Sequence, residues 1–182
     1  MTVLRLVLFV LLIAMPTAIG QQNSAQEILV PPASCRVTGP PTVAFAPPAG
    51  YETSDNGKSF LLGTDKLWTS LATSGVWSWG PHPPGQEKRV EPLTRKTFWA
   101  SVDYDYKREE YPELKVTGRR LDGDAPPLLT TETTNVAPGP APGMLVGVYV
   151  PTPGCWEITG EYKDQKLSFV VWVTARNFKS NK

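Results

Sequence analysis

The chain has 182 residues, enough for one domain with a real core, or one domain and a tail. Lys and Arg number 18 against 17 acidic residues, so the basic footprint that nucleic-acid binding or polybasic membrane attachment leaves is missing, and neither class is supported. Nineteen prolines and 15 glycines argue for short strands joined by stiff loops, because proline interrupts helices and concentrates in turns and at sheet edges.

The chain begins MTVLRLVLFVLLIAMPTAIGQQ. A single cation, Arg5, precedes an apolar run over residues 6–15, which Pro16 breaks. Ala18-Ile19-Gly20 then supplies the small residues a signal peptidase reads. Residues 1–20 are therefore expected to be a secretory signal peptide, cut after Gly20. The apolar run is well short of the roughly 20 residues a membrane span needs, so no stable span is expected after cleavage. The protein is expected in the periplasm or the medium, and the mature chain stays near neutral.

Residues 21–34 (QQNSAQEILVPPAS) read as a flexible leader, residues 35–175 as the domain and residues 176–182 as a tail. The proline-rich stretch CRVTGPPTVAFAPPAGY offers one edge strand near residues 43–45. Asn56-Gly57 is a turn signal. Strands are expected at residues 59–62 and 66–71, split by Gly63, and at residues 76–79 after a turn at Ser74-Gly75. GPHPPGQEKRVEPL is a loop. Residues 96–102 form the next strand, and residues 103–112 a charged excursion. Residues 114–121 alternate, with Leu114, Val116, Gly118 and Arg120 on one side. DGDAPPLLTTETTNVAPGPAPG reads as a long loop, followed by an apolar strand over residues 144–150. Residues 156–162 and 166–173 close the domain as a hairpin around Lys163-Asp164-Gln165.

Alternation is clearest in that hairpin. Leu167, Phe169, Val171 and Val173 share one face, and Trp156, Ile158 and Tyr162 share a face of the partner strand, opposite Glu157, Thr159 and Glu161. Successive side chains of a strand point to opposite sides, so this is the pattern of a half-buried antiparallel strand. No window carries a 3.6-residue stripe. The expected fold is all-β, an immunoglobulin-like antiparallel sandwich of about seven or eight short strands with long proline-rich loops.

Several motifs point further. CRVTGP at 35–40, LW at 67–68, VTGRRLDGDAPPL at 116–128, PTPGCWEITG at 151–160 and LSFVVWV at 167–173 resemble a family of uncharacterised bacterial exported proteins. The specific signatures are TGRRLD and PTxGCWExTG. The resemblance implies a bacterial envelope or secreted location and an immunoglobulin-like sandwich. It brings no activity, substrate or catalytic residue.

The two cysteines, Cys35 and Cys155, favour a disulfide in an exported chain. Bridging the start of the domain to its penultimate strand would stabilise by roughly 4–5 kcal/mol on the chain-entropy model. Two free buried thiols, or an intermolecular bond, are the other readings. A metal site lacks further ligands near either cysteine, and no cofactor motif is present.

Chemistry is thinly represented. The only histidine, His82, lies in the GPHPPG loop, and no G-x-S-x-G turn is present. The densest acidic cluster is VDYDYKREEY, with Asp103, Asp105, Glu109 and Glu110. Paired carboxylates can serve glycoside hydrolysis and oxygen ligands can hold calcium, but Lys107 and Arg108 make a solvated turn the simpler reading. Arg119 and Arg120 must face opposite sides of a regular strand, and any buried guanidinium needs a carboxylate, for which Asp122 and Glu157 are the candidates.

Six tryptophans are the best hint of recognition, since indole anchors both cores and interfaces. Trp77 and Trp79 share a strand face, and with Trp99 or Tyr104 they would make a platform for sugar rings or a partner. Otherwise they cover the core. The leading expectation is a non-enzymatic binding or structural module of the cell envelope, its partner an envelope protein or glycan. A carbohydrate-binding module built on the tryptophans, and a small exported hydrolase built on residues 103–110, are the alternatives.

Overall fold

The structure is a computed structural model that describes residues 30–49, 51, 57–79, 93–136 and 142–175. The segments expected to be a signal peptide and a C-terminal tail, most of the expected leader, and the His82 loop lie outside the described residues.

Ten strands build two sheets, with no helix among the described residues. In chain order they are β1 (Ser59–Gly63), β2 (Leu67–Ala72), β3 (Val76–Trp79), β4 (Leu93–Ser101), β5 (Lys115–Arg120), β6 (Leu129–Thr130), β7 (Thr134–Asn135), β8 (Met144–Val150), β9 (Gly154–Tyr162) and β10 (Gln165–Ala175). The first sheet runs β1-β2-β4-β8-β6, with β7 also on β8, and the second runs β3-β10-β9-β5. Setting β1 and β3 aside, the orders β2-β4-β8-β6 and β5-β9-β10 are those of the ABED and CFG sheets of an immunoglobulin constant-type domain. One pairing is not antiparallel: β3 joins the outside of β10 in parallel, Trp172 against Val76 and Ala175 against Trp79.

The alternation read from the sequence is the alternation observed. On β8, Met144, Val146, Val148 and Val150 are buried and the residues between them half-buried. On β10, Phe169, Val171 and Val173 join the core, and on β9 Trp156, Ile158 and Tyr162 do so. These side chains interdigitate with Leu67, Leu71, Trp77 and Trp99 from the other strands. Buried indoles need a hydrogen-bond partner. Trp99 Nε1 donates to Thr97 Oγ1 at 3.1 Å, and Trp156 Nε1 donates to the Thr152 carbonyl at 2.9 Å.

Three elements differ from the sequence reading. Residues 43–45 form no strand, and Val43 is exposed. The long loop after Asp122 contains β6 and β7, an edge strand broken at residues 131–133. Thr131 bridges the break, its N–H bonding the Gly147 carbonyl and its Oγ1 accepting from the Gly147 N–H, both at 2.9 Å. Short, polar and interrupted, this edge gives little periodicity to read. Finally, β4 starts at Leu93, where proline-rich composition suggests a loop.

The proline-rich N-terminal segment is a strap over the sandwich. Cys35 is bonded to Cys155, 120 residues away, with Cα atoms 5.6 Å apart. Cys155 stands opposite Trp172 on the outer face of the second sheet, so the bond pins the strap to the outside of the sandwich rather than crossing its core. Thr38 then pairs with Val170: its N–H donates to the Val170 carbonyl at 2.9 Å, and its Oγ1 accepts from the Val170 N–H at 2.8 Å. Further along, Phe45 and Tyr51 pack on Trp68, with ring centroids 5.9 and 4.7 Å apart. Trp68 precedes the core residue Thr69 and belongs to the opposite, outer face of β2, yet it is only 2% exposed, because the strap covers it.

Candidate functional site

The two signature motifs meet in space. TGRRLD forms the end of β5 and PTPGCWEITG the start of β9, and the strands pair antiparallel with Arg119 opposite Glu157 and Arg120 opposite Trp156. One step beyond the ladder, the Leu121 N–H donates to the Cys155 carbonyl at 2.7 Å.

The arginines divide as strand geometry requires. Arg119 points outward, and its Nε donates to Glu157 Oε2 at 2.7 Å across the sheet. Arg120 turns the other way and donates from Nε to Asp122 Oδ1, also at 2.7 Å. This second pair is the more enclosed, with side chains 25% and 30% exposed. The Arg120 hydrogen bond, aided by the backbone of Cys155, overcomes burial and holds the Asp122 carboxyl below the usual carboxylate range. Gly154, at φ 144°, leaves room for the pair: a Cβ there would meet Arg120 Nε at 2.5 Å and Asp122 Oδ1 at 2.8 Å.

Beside this corner lies an open groove of about 310 Å³, lined by Gly118, Arg119, Arg120 and the turn Gly123-Asp124-Ala125-Pro126-Pro127. One wall is the edge strand β5. The other is stiffened by the two prolines, whose rings fix φ. Among the described residues, the hydrogen bonds of both guanidinium groups to protein leave from Nε, so the Nη groups of both arginines remain able to donate to a ligand. Asp124, Pro126 and Pro127 were not legible as site residues. The DGDAPP run signals a turn, but nothing local says which strand edge that turn faces.

The tryptophan platform is not formed as expected. Trp77 is 2% and Trp99 0% exposed, and both pack on Phe169, each with ring centroids 5.9 Å apart. Tyr104 is buried as well, edge-on to Tyr162. Trp77 and Trp99 face the interior because their strands need large apolar residues to fill a sandwich about 10 Å thick, and Tyr104 reaches the core from the excursion after β4. The Trp79 backbone pairs with Ala175 at the end of β3. Trp172 is half-buried on the outer face.

The acidic excursion is tied to the domain through Glu109. Its Oε2 accepts from the Tyr162 hydroxyl at 2.7 Å, and its Oε1 accepts from Lys163 Nζ at 3.3 Å. Lys163 Nζ also donates to the Asp103 carbonyl. Burial works to raise the Glu109 carboxyl, but bonds from Tyr162, the Asp105 backbone and Lys163 together hold it below its usual range. Burial first, and then the bond to Glu109, push the Tyr162 hydroxyl well above its ordinary value. Asp105 accepts from the Lys107 N–H at 3.0 Å and pairs with Arg108 at 3.4 Å. Two of the four carboxylates of the cluster, Asp105 and Glu109, are thus engaged in holding the loop. Among the described residues no group of three or more His, Cys, Asp or Glu side chains is placed to hold a metal ion, and no helix is long and apolar enough to cross a membrane.

Comparison with known protein families, with curated proteins and with solved structures finds no match.

Proposed function

We propose that this is an exported bacterial protein that acts by recognition rather than catalysis, a disulfide-stapled immunoglobulin-like module of the cell envelope. Its recognition site is the groove between β5 and the turn at residues 123–127. The observation that carries the reading is that corner: an ion pair, a constrained glycine and the strand that carries a buried disulfide hold a cleft whose walls include two guanidinium groups. Rigid elements with polar groups at a concave surface are the usual makings of a binding site. Export is supported by the leader sequence and by the disulfide, which persists in oxidising compartments. The partner is a protein or a glycan of the envelope.

The test is photo-crosslinking in the expressing bacterium, with the crosslinking side chain placed at Gly123 or Pro126 and, as a control, at the exposed Ser70 on β2. A defined adduct from the groove positions, lost in Arg119→Gln and not formed from position 70, is expected on protein whose N-terminus begins at Gln21. Adducts equal from all three positions, or none, would overturn the site. Protein retained with Met1 intact would overturn export.

A further inference from the structure

The second sheet is partly covered beyond β10 and open at β5. On β10, the outward backbone groups of Val170 and Trp172 are taken up by the strap and by the turn that leads into β3. Val170 bonds Thr38 in both directions, and the Trp172 N–H donates to the Gly75 carbonyl at 2.9 Å. At the other edge, the register and the bond from the Leu121 N–H to the Cys155 carbonyl fix the phase of the β5–β9 ladder. Hydrogen-bonded pairs alternate along an antiparallel ladder, so Lys115, Thr117 and Arg119 bond to β9. Val116, Gly118 and Arg120 therefore direct their backbone groups outward, and among the described residues none meets them. Unpaired backbone in this arrangement is a template for another strand. The groove runs beside it at Gly118 and Arg120.

The side chains along β5 say which strand fits. Its outer face presents Lys115, Thr117 and Arg119, all exposed or nearly so. A second copy of this chain is a poor partner: antiparallel pairing of β5 with β5 gathers Lys115 and Arg119 of both copies on one patch, and one register sets Lys115 directly opposite Arg119. A strand with carboxylates at alternate positions is complementary instead. It would meet the Lys115 ammonium and the Nη groups of Arg119, which the cross-strand bond to Glu157 leaves free. We propose that β5 accepts an extended acidic segment of a partner protein as an added strand, with its backbone on Val116, Gly118 and Arg120 and its carboxylates over Lys115 and Arg119. This rests on the reading of the groove as a recognition site, and narrows the partner to a protein.

The experiment uses the mature, disulfide-bonded chain labelled with ¹⁵N, and a capped peptide of alternating threonine and glutamate of about nine residues, the length of a long strand. A threonine–lysine peptide is the control. Slowed amide exchange is expected at Val116, Gly118 and Arg120, with Thr117 and Arg119 unaltered because β9 already protects them. The lysine peptide should have no effect. Lys115→Glu should weaken binding by about five- to tenfold. Raising ionic strength from roughly 0.01 M to 0.15 M should weaken it too, since the screening length falls from about 30 to 8 Å. Arg119→Gln, which keeps the stem and removes the charge, should act in the same direction if the fold is intact by its amide spectrum. Unchanged exchange at the three amides up to the solubility limit of the glutamate peptide, or equal effects of both peptides, overturns the proposal. Protection of the same amides without peptide, together with a dimeric mass in sedimentation, overturns it in favour of self-pairing. A groove adduct in the crosslinking experiment without strand protection here would leave the recognition site standing and remove the acidic strand alone.

Discussion

The Tyr162 hydroxyl donates to Glu109 Oε2 at 2.7 Å, and with the two contacts of Lys163 that bond fastens the charged excursion over residues 103–112 to the end of β9. Tyr162 itself is 1% exposed, so its hydroxyl would otherwise be left without water. Removing the hydroxyl in Tyr162→Phe should cost about 1.5–3 kcal/mol, the range for a bond to a charged acceptor. Urea denaturation at neutral pH measures it. A cost below about 0.5 kcal/mol would mean that Lys163 alone holds Glu109, because surface ion pairs contribute little.

The same carboxyl sets a pH dependence. Glu109 titrates lower in the folded protein than in the unfolded chain, as does Asp122. Such groups contribute stability that is complete above the unfolded value, about 4 for either type, and that is lost as pH falls through the lowered folded value. The unfolding midpoint should therefore be level from neutrality to about pH 5 and fall steadily below about pH 4. Asp122→Asn should flatten part of that fall. A midpoint that declines between pH 7 and pH 6 would point to a different group.

Gly154→Ala tests the corner that joins the two motifs. The residue sits at φ 144°, and an added Cβ would lie 2.5 Å from Arg120 Nε. Alanine at an unsuitable positive φ destabilises by more than about 1 kcal/mol, and the displaced ion pair adds to this. A loss of about 2–3 kcal/mol is expected, with shifts in the amide resonances of Arg120 and Asp122. Thermal unfolding equal to the wild type would show that the pair is not wedged there.

The core offers an independent test of where the indoles lie. Trp99 is fully buried, and its ring rests on Gly160: a Cβ at that glycine would come within 2.4 Å of Cη2. Trp99→Ala should cost about 3–5 kcal/mol, and Gly160→Ala about 1–3 kcal/mol by overpacking the same place. Because the two changes share a contact, their double mutant should be less destabilised than the sum. Exact additivity would separate the residues.

What the sequence made legible follows from what local chemistry can record. Period-two alternation located β5, β8, β9 and β10 to within two or three residues, since each has one face in the core and one outside. Arg119 and Arg120 found the carboxylates assigned to them because a regular strand leaves few choices. Trp77 and Trp99 read equally well as core or platform: an apolar side chain carries no mark of which face will be covered. Trp68 shows the same blindness from the other side, being buried by Phe45 and Tyr51 of a strap that has no periodicity of its own. The open edge of β5 is further out of reach, because which strand lacks a neighbour is a property of the whole topology and is written in no single segment.

The strap gives the last prediction. Its start is held by the Cys35–Cys155 bond and by Thr38 on Val170, and its far end by Tyr51, stacked edge-on to Trp68 with its hydroxyl donating to the Ser101 carbonyl at 3.2 Å. A bond closing 120 residues restricts the unfolded chain, so the Cys35→Ser, Cys155→Ser double variant should lose about 2–5 kcal/mol. The near end of the strap should loosen before the far end, because Phe45 and Tyr51 keep their aromatic contacts. Amide exchange should therefore accelerate at Thr38 and Val170 while Trp68 stays protected. Equal acceleration at Thr38 and Trp68 would mean that the disulfide holds the whole strap, and no change at either would mean that the packing on Trp68 suffices.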